Sequence, residues 1–99
     1  MSYTDTVIAD MRLHALGLLG DAPDYTGNEV VLQERLRTDF GHTVSCDRLR
    51  TELAWLDEQG LIIVQRPGGI VLATLTARGL DVARGASQLP GVARPRPAR

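Results

Sequence analysis

The spacing of apolar residues in the first part of the chain predicts a helix over residues 4–19, with Thr4 as its cap and Gly20 at its end. Leu13 and Leu16 fall on a different side of this helix from its main apolar face. That main face holds Ile8, Met11, Ala15, Leu18 and Leu19. A helix that is apolar on two sides needs two surfaces to bury against. We therefore expect this helix to pack on its own domain and on a second copy of the chain.

Two further helices are predicted over residues 29–40 and 46–59, with Asn28 and Ser45 as their caps. Gly41 ends the first of them, because a left-handed backbone costs glycine little. The connection that follows is very short. Two helices joined by a tight glycine-containing turn are typical of a helix-turn-helix.

The helix over residues 46–59 has two contrasting faces. Its apolar stripe of Leu49, Leu53 and Leu56 predicts burial. At 100° per residue, the opposite face carries Asp47, Thr51, Ala54, Trp55 and Glu58. We expect this second face to remain available for a partner.

Two β-branched runs, 61–66 and 70–75, are separated by a Pro-Gly-Gly turn and predict a β-hairpin. Thr76 is the expected cap of a last helix over residues 77–84. The element order predicts a mainly helical α+β domain: a winged helix-turn-helix with a three-helix core, a two-stranded wing and a C-terminal helix.

The domain is predicted to span residues 1–85. Residues 21–27 are interpreted as a loop within it. Residues 86–99 contain several prolines and no core pattern, and they are predicted to form a flexible tail.

Cysteine and histidine usage argues against metal or catalytic chemistry. Cys46 is the only cysteine, which excludes an internal disulfide and any Cys-pair metal site and fits a reducing cytoplasm. His14 and His42 are far apart in sequence and lack ligand spacing. No nucleophile–base set, close acid pair or nucleotide-binding motif is visible. We expect neither an enzyme nor a protein with a metal or cofactor.

Charge is distributed unevenly along the chain. All 11 basic side chains are arginine, and Arg94, Arg96 and Arg99 lie in the last six residues. Residues 1–93 therefore carry 8 Arg against 12 acidic residues, a net charge of −4. An acidic body opposes DNA binding, which depends on neutralising phosphates. The tail arginines are interpreted either as nonspecific DNA contacts or as a solubilising or partner-binding segment.

The segment 44–62 resembles the recognition-helix region of bacterial winged-helix regulators, and 75–79 resembles the Leu-Thr-x-x-Gly that often follows their wing. More closely, the Arg-Thr-Glu-Leu-Ala-Trp-Leu of residues 50–56 and the Pro-Gly-Val of residues 90–92 resemble a small family encoded in Mu-like phages and prophages. That family is often labelled ArsR-like. The resemblance covers roughly residues 13–97 and implies a winged helix of phage origin. Metal-sensing ArsR proteins carry paired cysteines, so metal sensing is not implied.

These observations favour a DNA-binding transcriptional regulator with its third helix in the major groove and its wing along the DNA backbone. The residues expected at the DNA are Thr43, Ser45, Asp47, Arg48, Arg50, Thr51, Trp55 and Arg66. The alternative is a protein-interaction or phage-assembly module that kept the fold without binding DNA, with a phage or host protein as partner. Trp55 either packs under the hairpin or anchors a partner, and Arg66 is either a phosphate contact or a solvated turn charge.

The regulator is expected to act as a homodimer in the cytoplasm of the bacterial host. Leu13, Leu16 and Leu80 are the predicted dimer contacts on the first and last helices. No apolar stretch approaches the roughly 20 residues of a membrane span, and the polar N-terminus does not resemble a signal peptide.

Overall fold

The computed structural model describes residues 2–97, in which four helices are connected by short turns and strands. Helix α1 spans Tyr3–Asp21, α2 spans Glu29–Phe40, α3 spans Cys46–Glu58 and α4 spans Ala77–Ala83. None of these helices combines the length and the hydropathy needed to cross a bilayer.

The capping residues predicted for the last three helices are confirmed. The side chains of Asn28, Ser45 and Thr76 each accept a hydrogen bond from the backbone N–H three residues further on. Gly41 closes α2 in the left-handed region, with φ 71°. The first helix starts earlier than predicted, because Ser2 accepts from the N–H of Asp5 and replaces Thr4 as the cap.

Three short strands form one antiparallel sheet, with β1 at Thr26–Asn28, β2 at Ile62–Gln65 and β3 at Leu72–Leu75. The strand order is β1-β3-β2. The hairpin of β2 and β3 was predicted, whereas β1 lies in the segment interpreted as a loop. A hydrogen bond of 3.0 Å between the hydroxyls of Thr26 and Thr74 also joins β1 to β3.

The core lies between the inner faces of the first three helices and the sheet. Leu49, Leu53 and Leu56 of α3 are at most 1% exposed, which confirms that this stripe points inward. The other large side chains that are essentially inaccessible are Leu16, Leu19, Leu36, Leu61, Ile62 and Val71.

The C-terminal segment, residues 86–97, was predicted to be a flexible tail. In the structure it packs on the helices through residues 89–93. Val92 is 8% exposed and joins the core, and Leu89 packs against it. The backbone N–H of Ala93 donates to the carbonyl of Ala9 at 3.1 Å. The prediction overlooked this pair of apolar residues, which gives the segment an anchor. Arg99 lies outside the described residues.

Candidate functional site

The outward face of α3 stays open within the part of the chain that the structure describes. Asp47, Thr51, Ala54 and Glu58 are exposed on it. The β2–β3 hairpin follows directly, with its turn at Pro67–Gly69. Along the chain, an exposed helix face is therefore followed directly by a β-hairpin.

A buried carboxylate fixes the start of α3 against α2 and the sheet. Glu29, the first residue of α2, has a side chain only 3% exposed, and its oxygens accept from Arg50 Nε at 2.7 Å and Nη2 at 2.9 Å. The backbone N–H of Val71 donates to the same group at 2.5 Å, and the Cys46 thiol donates at 3.0 Å. These contacts connect two helices and the strand region through one side chain.

The hydrogen bonds to Glu29 shift the pKa values around it. Those from Arg50, Val71 and Cys46, in decreasing order of effect, lower the pKa of Glu29 from 4.5 to about 2. The same interaction with Glu29 raises the pKa of the Cys46 thiol and of Arg50. Cys46 is therefore a hydrogen-bond donor in a structural network, and its thiolate is disfavoured.

A second buried carboxylate holds the other arginine of α3. The Glu52 side chain is 3% exposed, and its oxygens contact Arg12 Nε at 2.7 Å and Arg48 Nε at 2.8 Å. Arg12 also lies over the Trp55 ring, 3.8 Å from its centroid, and donates to the carbonyl of Gly91.

Trp55 is covered by the C-terminal segment and by Arg12. Trp55 keeps intermediate exposure, and the contacts with Arg12 and the C-terminal segment were not among the positions expected from the sequence. A Cβ on Gly91 would lie 2.9 Å from the indole ring, so only glycine allows the segment to lie so close. Trp55 therefore contributes to packing within the chain, through Arg12 and the C-terminal segment.

The other residues predicted to contact DNA differ in their exposure and in whether their side chains already have partners within the chain. Thr43 and Arg66 are exposed, and Arg66 has no ion-pair partner within residues 2–97. The Thr51 hydroxyl donates to the carbonyl of Asp47, and the Ser45 hydroxyl accepts from the N–H of Arg48. The arginines of α3 keep partial exposure, 48% for the side chain of Arg48 and 40% for that of Arg50.

The predicted dimer residues are not equally available. Leu16 is fully buried in the core of its own chain, so it cannot contact a second copy in this fold. Leu13 and Leu80 are only partly buried against the same core. The second apolar side of α1 is thus largely buried against the core of its own chain. The sequence pattern alone did not reveal this packing.

Asp10, His14 and His42 form a cluster that the sequence analysis missed. His42 Nε2 lies 3.0 Å from Asp10 Oδ2, and His14 Nε2 lies 3.9 Å from Asp10 Oδ1. His14 also stacks on Phe40, with ring centroids 4.0 Å apart, and burial lowers its pKa. The i,i+4 spacing of Asp10 and His14 was visible in the sequence, but the approach of His42 depends on how the α2–α3 turn folds back on α1.

Together, the fold and the surface define a small, mainly helical α+β protein that presents an exposed, acidic helix face beside a β-hairpin. The protein is similar to the uncharacterized protein gp26 of Escherichia phage Mu, with 43% identity over 93 residues that cover 94% of this chain and 95% of the relative. It is also similar to an uncharacterized protein of Haemophilus influenzae, with 38% identity over 81 residues, or 81% of this chain and 78% of that protein. The chain belongs to the family of the phage Mu protein gp26. No protein-family model matches the chain, and no solved structure matches it.

Proposed function

We propose that the protein is a winged helix-turn-helix protein that binds double-stranded DNA as a regulator of transcription. The order of elements supports this proposal: α2 and α3 are joined by a tight turn closed by Gly41, and a hairpin follows α3. The sheet order β1-β3-β2 places the hairpin beside the short strand that precedes α2, which is consistent with a wing.

One observation carries the proposal: the polar face of α3 is exposed while its apolar face is buried. In a helix-turn-helix, the second helix lies in the major groove and its N-terminal residues contact base edges. Asp47 and Thr51 lie in the first half of α3 on the exposed face. A carboxylate accepts from cytosine N4 and a hydroxyl bonds several base edges, so both residue types suit this position.

The bound arginines of α3 limit how strongly phosphates would be contacted. Arg50 is occupied by the buried Glu29 and acts as a positioning residue, while Arg48 shares Glu52 with Arg12. Arg66 at the wing and the exposed part of Arg48 are the remaining candidates in this region. Two phosphate contacts per subunit imply a slope in log K against log salt of about −2 for each subunit and about −4 for the proposed homodimer.

A homodimer in the cytoplasm of the bacterial host is part of the same proposal. Leu13 and Leu80 remain as candidate contacts, since both keep some exposure on α1 and α4. Paired α3 helices in such a dimer would meet successive major grooves about 34 Å apart. A single species of monomer mass in analytical ultracentrifugation, with and without DNA, would remove this part of the proposal.

The test is selection of random DNA duplexes by purified protein at low salt, followed by binding titrations at increasing salt. We expect an enriched motif, and we expect Thr51→Ala and Arg66→Gln each to weaken binding to it at least about fivefold, equivalent to about 1 kcal/mol. Arg84→Gln is the matched control, because Arg84 is the exposed residue that caps the C-terminal end of α4 and has no ion-pair partner within residues 2–97. No enriched motif, together with equal binding by all variants, would overturn the proposal.

A second candidate function, docking to a phage or host protein, is favoured by charge. Residues 45–59 carry 2 Arg against 4 acidic residues, and both arginines are held by buried carboxylates. The hairpin also exposes Ile63 and Ile70, at 55% and 49%. A protein partner would tolerate this acidic and apolar surface better than phosphates do. Binding whose affinity falls on Ile63→Ser but not on Arg66→Gln would select this candidate over DNA.

A further inference from the structure

The Asp10–His14–His42 cluster places three metal-ligating side chains on two separate parts of the fold. Asp10 and His14 lie one turn apart on α1, and His42 lies in the turn between α2 and α3. One donor atom from each residue can be chosen so that all three lie within 4.8 Å of one another. The site is separate from the outward face of α3 and is not used by the proposed DNA contacts.

Two contacts outside the cluster hold its histidines in place without a ligand. The N–H of His42 donates to the carbonyl of Leu36 at 2.9 Å, which fixes the turn at the end of α2. The imidazole of His14 is held flat on the Phe40 ring, with 9° between the planes. The turn and the His14 ring are thus ordered before a ligand binds, which lowers the conformational cost of binding.

The donor set matches a borderline divalent transition ion. Two imidazole nitrogens and one carboxylate oxygen make up the protein ligands of several open zinc sites and of mononuclear iron(II) sites, whereas calcium and magnesium prefer oxygens alone. Tetrahedral zinc places its donors about 3.3 Å apart. The three donor atoms here lie within 4.8 Å of one another, and rotation of the partly exposed side chains would bring them to that spacing.

Two further features bear on the strength of such a site. The Nδ1 atom of His14 is buried and has no hydrogen-bond partner within the described residues, so this ligand lacks the outer-shell support that raises metal affinity. Arg94 and Arg96 line the adjoining cleft of about 340 Å³. Their charge opposes a cation but suits an anion or water as the fourth ligand.

We propose that Asp10, His14 and His42 bind one divalent transition-metal ion, with Zn²⁺ as the reference ion, and that the ion ties α1 to the α2–α3 turn. The proposal does not depend on DNA binding. The alternative is that Asp10 and His42 only form a hydrogen bond that locks the turn. The two hypotheses differ in whether the protein binds an added metal ion at these residues.

The experiment uses the full chain, freed of metal by chelation and titrated with Zn²⁺ in a calorimeter. We expect one ion per chain and binding weakened at least about tenfold in Asp10→Asn and in His42→Asn. Asp10→Asn retains a hydrogen-bonding group toward His42 and should keep the fold, which circular dichroism will check. Asp21→Asn is the matched control, since it removes a carboxylate from the same helix roughly 16 Å away.

Two further measurements identify the ligands. Added Zn²⁺ should shift the ring resonances of both histidines in the NMR spectrum, and Co²⁺ should give the visible absorption of a low-coordinate site. Cys46→Ser should leave binding unchanged, because the thiol donates to Glu29 and belongs to a different network. The proposal is overturned if wild type takes up no Zn²⁺, if Asp10→Asn and His42→Asn both bind as wild type does, or if only Cys46→Ser loses the ion.

Discussion

Replacing Gly79 by alanine tests how closely α4 approaches the chain that leads into the hairpin. A Cβ at this position would overlap the backbone carbonyl of Leu61. That carbonyl cannot easily move, because it accepts from the N–H of Thr76 at 3.1 Å and from its hydroxyl at 3.0 Å. The overlap therefore falls on fixed backbone and not on the end of a flexible side chain.

Two opposing effects decide the sign of the change in stability. Alanine in a helix is favoured over glycine by about 1 kcal/mol, whereas overpacking against fixed atoms costs typically 1–3 kcal/mol and sometimes more. Contact with a backbone oxygen belongs at the upper end of that range. We expect Gly79→Ala to lower the free energy of unfolding by about 2 kcal/mol, or roughly 8–16 °C in Tm for a domain of this size.

Gly17→Ala is the matched control, because Gly17 lies inside α1 and a Cβ there would meet no atom within 4 Å. This variant should gain about 0.5–1 kcal/mol from helix propensity alone. Urea unfolding followed by circular dichroism measures both variants. If Gly79→Ala proved as stable as wild type, or if both variants changed stability alike, the close approach of α4 to the Leu61 carbonyl would be contradicted.

Three further predictions concern the ion-pair network, a helix cap and the C-terminal segment. Because the pKa of Glu29 is lowered from 4.5 to about 2, the contribution of Glu29 to stability is complete above about pH 4.5 and is lost as the pH falls toward 2. In urea titrations at different pH values, Glu29→Gln should reduce this loss of stability at acid pH. An unchanged loss would contradict the network around Glu29. Asn28→Ala should cost about 1 kcal/mol, since it removes the acceptor for the Val31 N–H, and a loss below experimental error would contradict the cap. Deleting residues 89–99 should uncover Trp55 and shift its fluorescence emission to the red, whereas an unshifted spectrum would show that the segment does not cover the indole.

The helices and their limits could largely be predicted because their signals are local. The caps Asn28, Ser45 and Thr76 act on N–H groups three residues away, and the leucine stripe of α3 repeats within a single helix. All the residues that form such short-range features lie close together in the sequence, so the features can be predicted from it. The hairpin was also predictable, because its turn and its two apolar runs are adjacent.

The elements that escaped prediction depend on contacts distant in sequence. Strand β1 has only three residues, and it is a strand only because Thr26 pairs with Thr74 across the fold. The C-terminal segment was predicted to be flexible because Val92 has no periodic neighbours, yet Val92 joins the core formed by the helices and the sheet. Neither feature produces a periodic pattern of apolar residues in the local sequence.

The exposed face of α3 could be predicted from the sequence, but the role of its charges could not. The sequence gives no sign that Arg50 reaches Glu29, 21 residues earlier, or that Glu52 is shared with Arg12, 40 residues away. The same long-range folding brings His42 to Asp10. Residue type and helical phase identified the exposed face of α3, whereas the engagement of its arginines required the tertiary structure.

The most direct test of the proposed function is an NMR titration of the ¹⁵N-labelled protein with a DNA duplex, mapped residue by residue. We expect the amide signals that shift to belong to the N-terminal half of α3 and to the turn of the hairpin, with Thr51 and Arg66 among them, and those of α4 to stay unchanged. Shifts confined to another surface, or none at all at low salt, would contradict the assignment of the α3 face and the wing as a DNA interface.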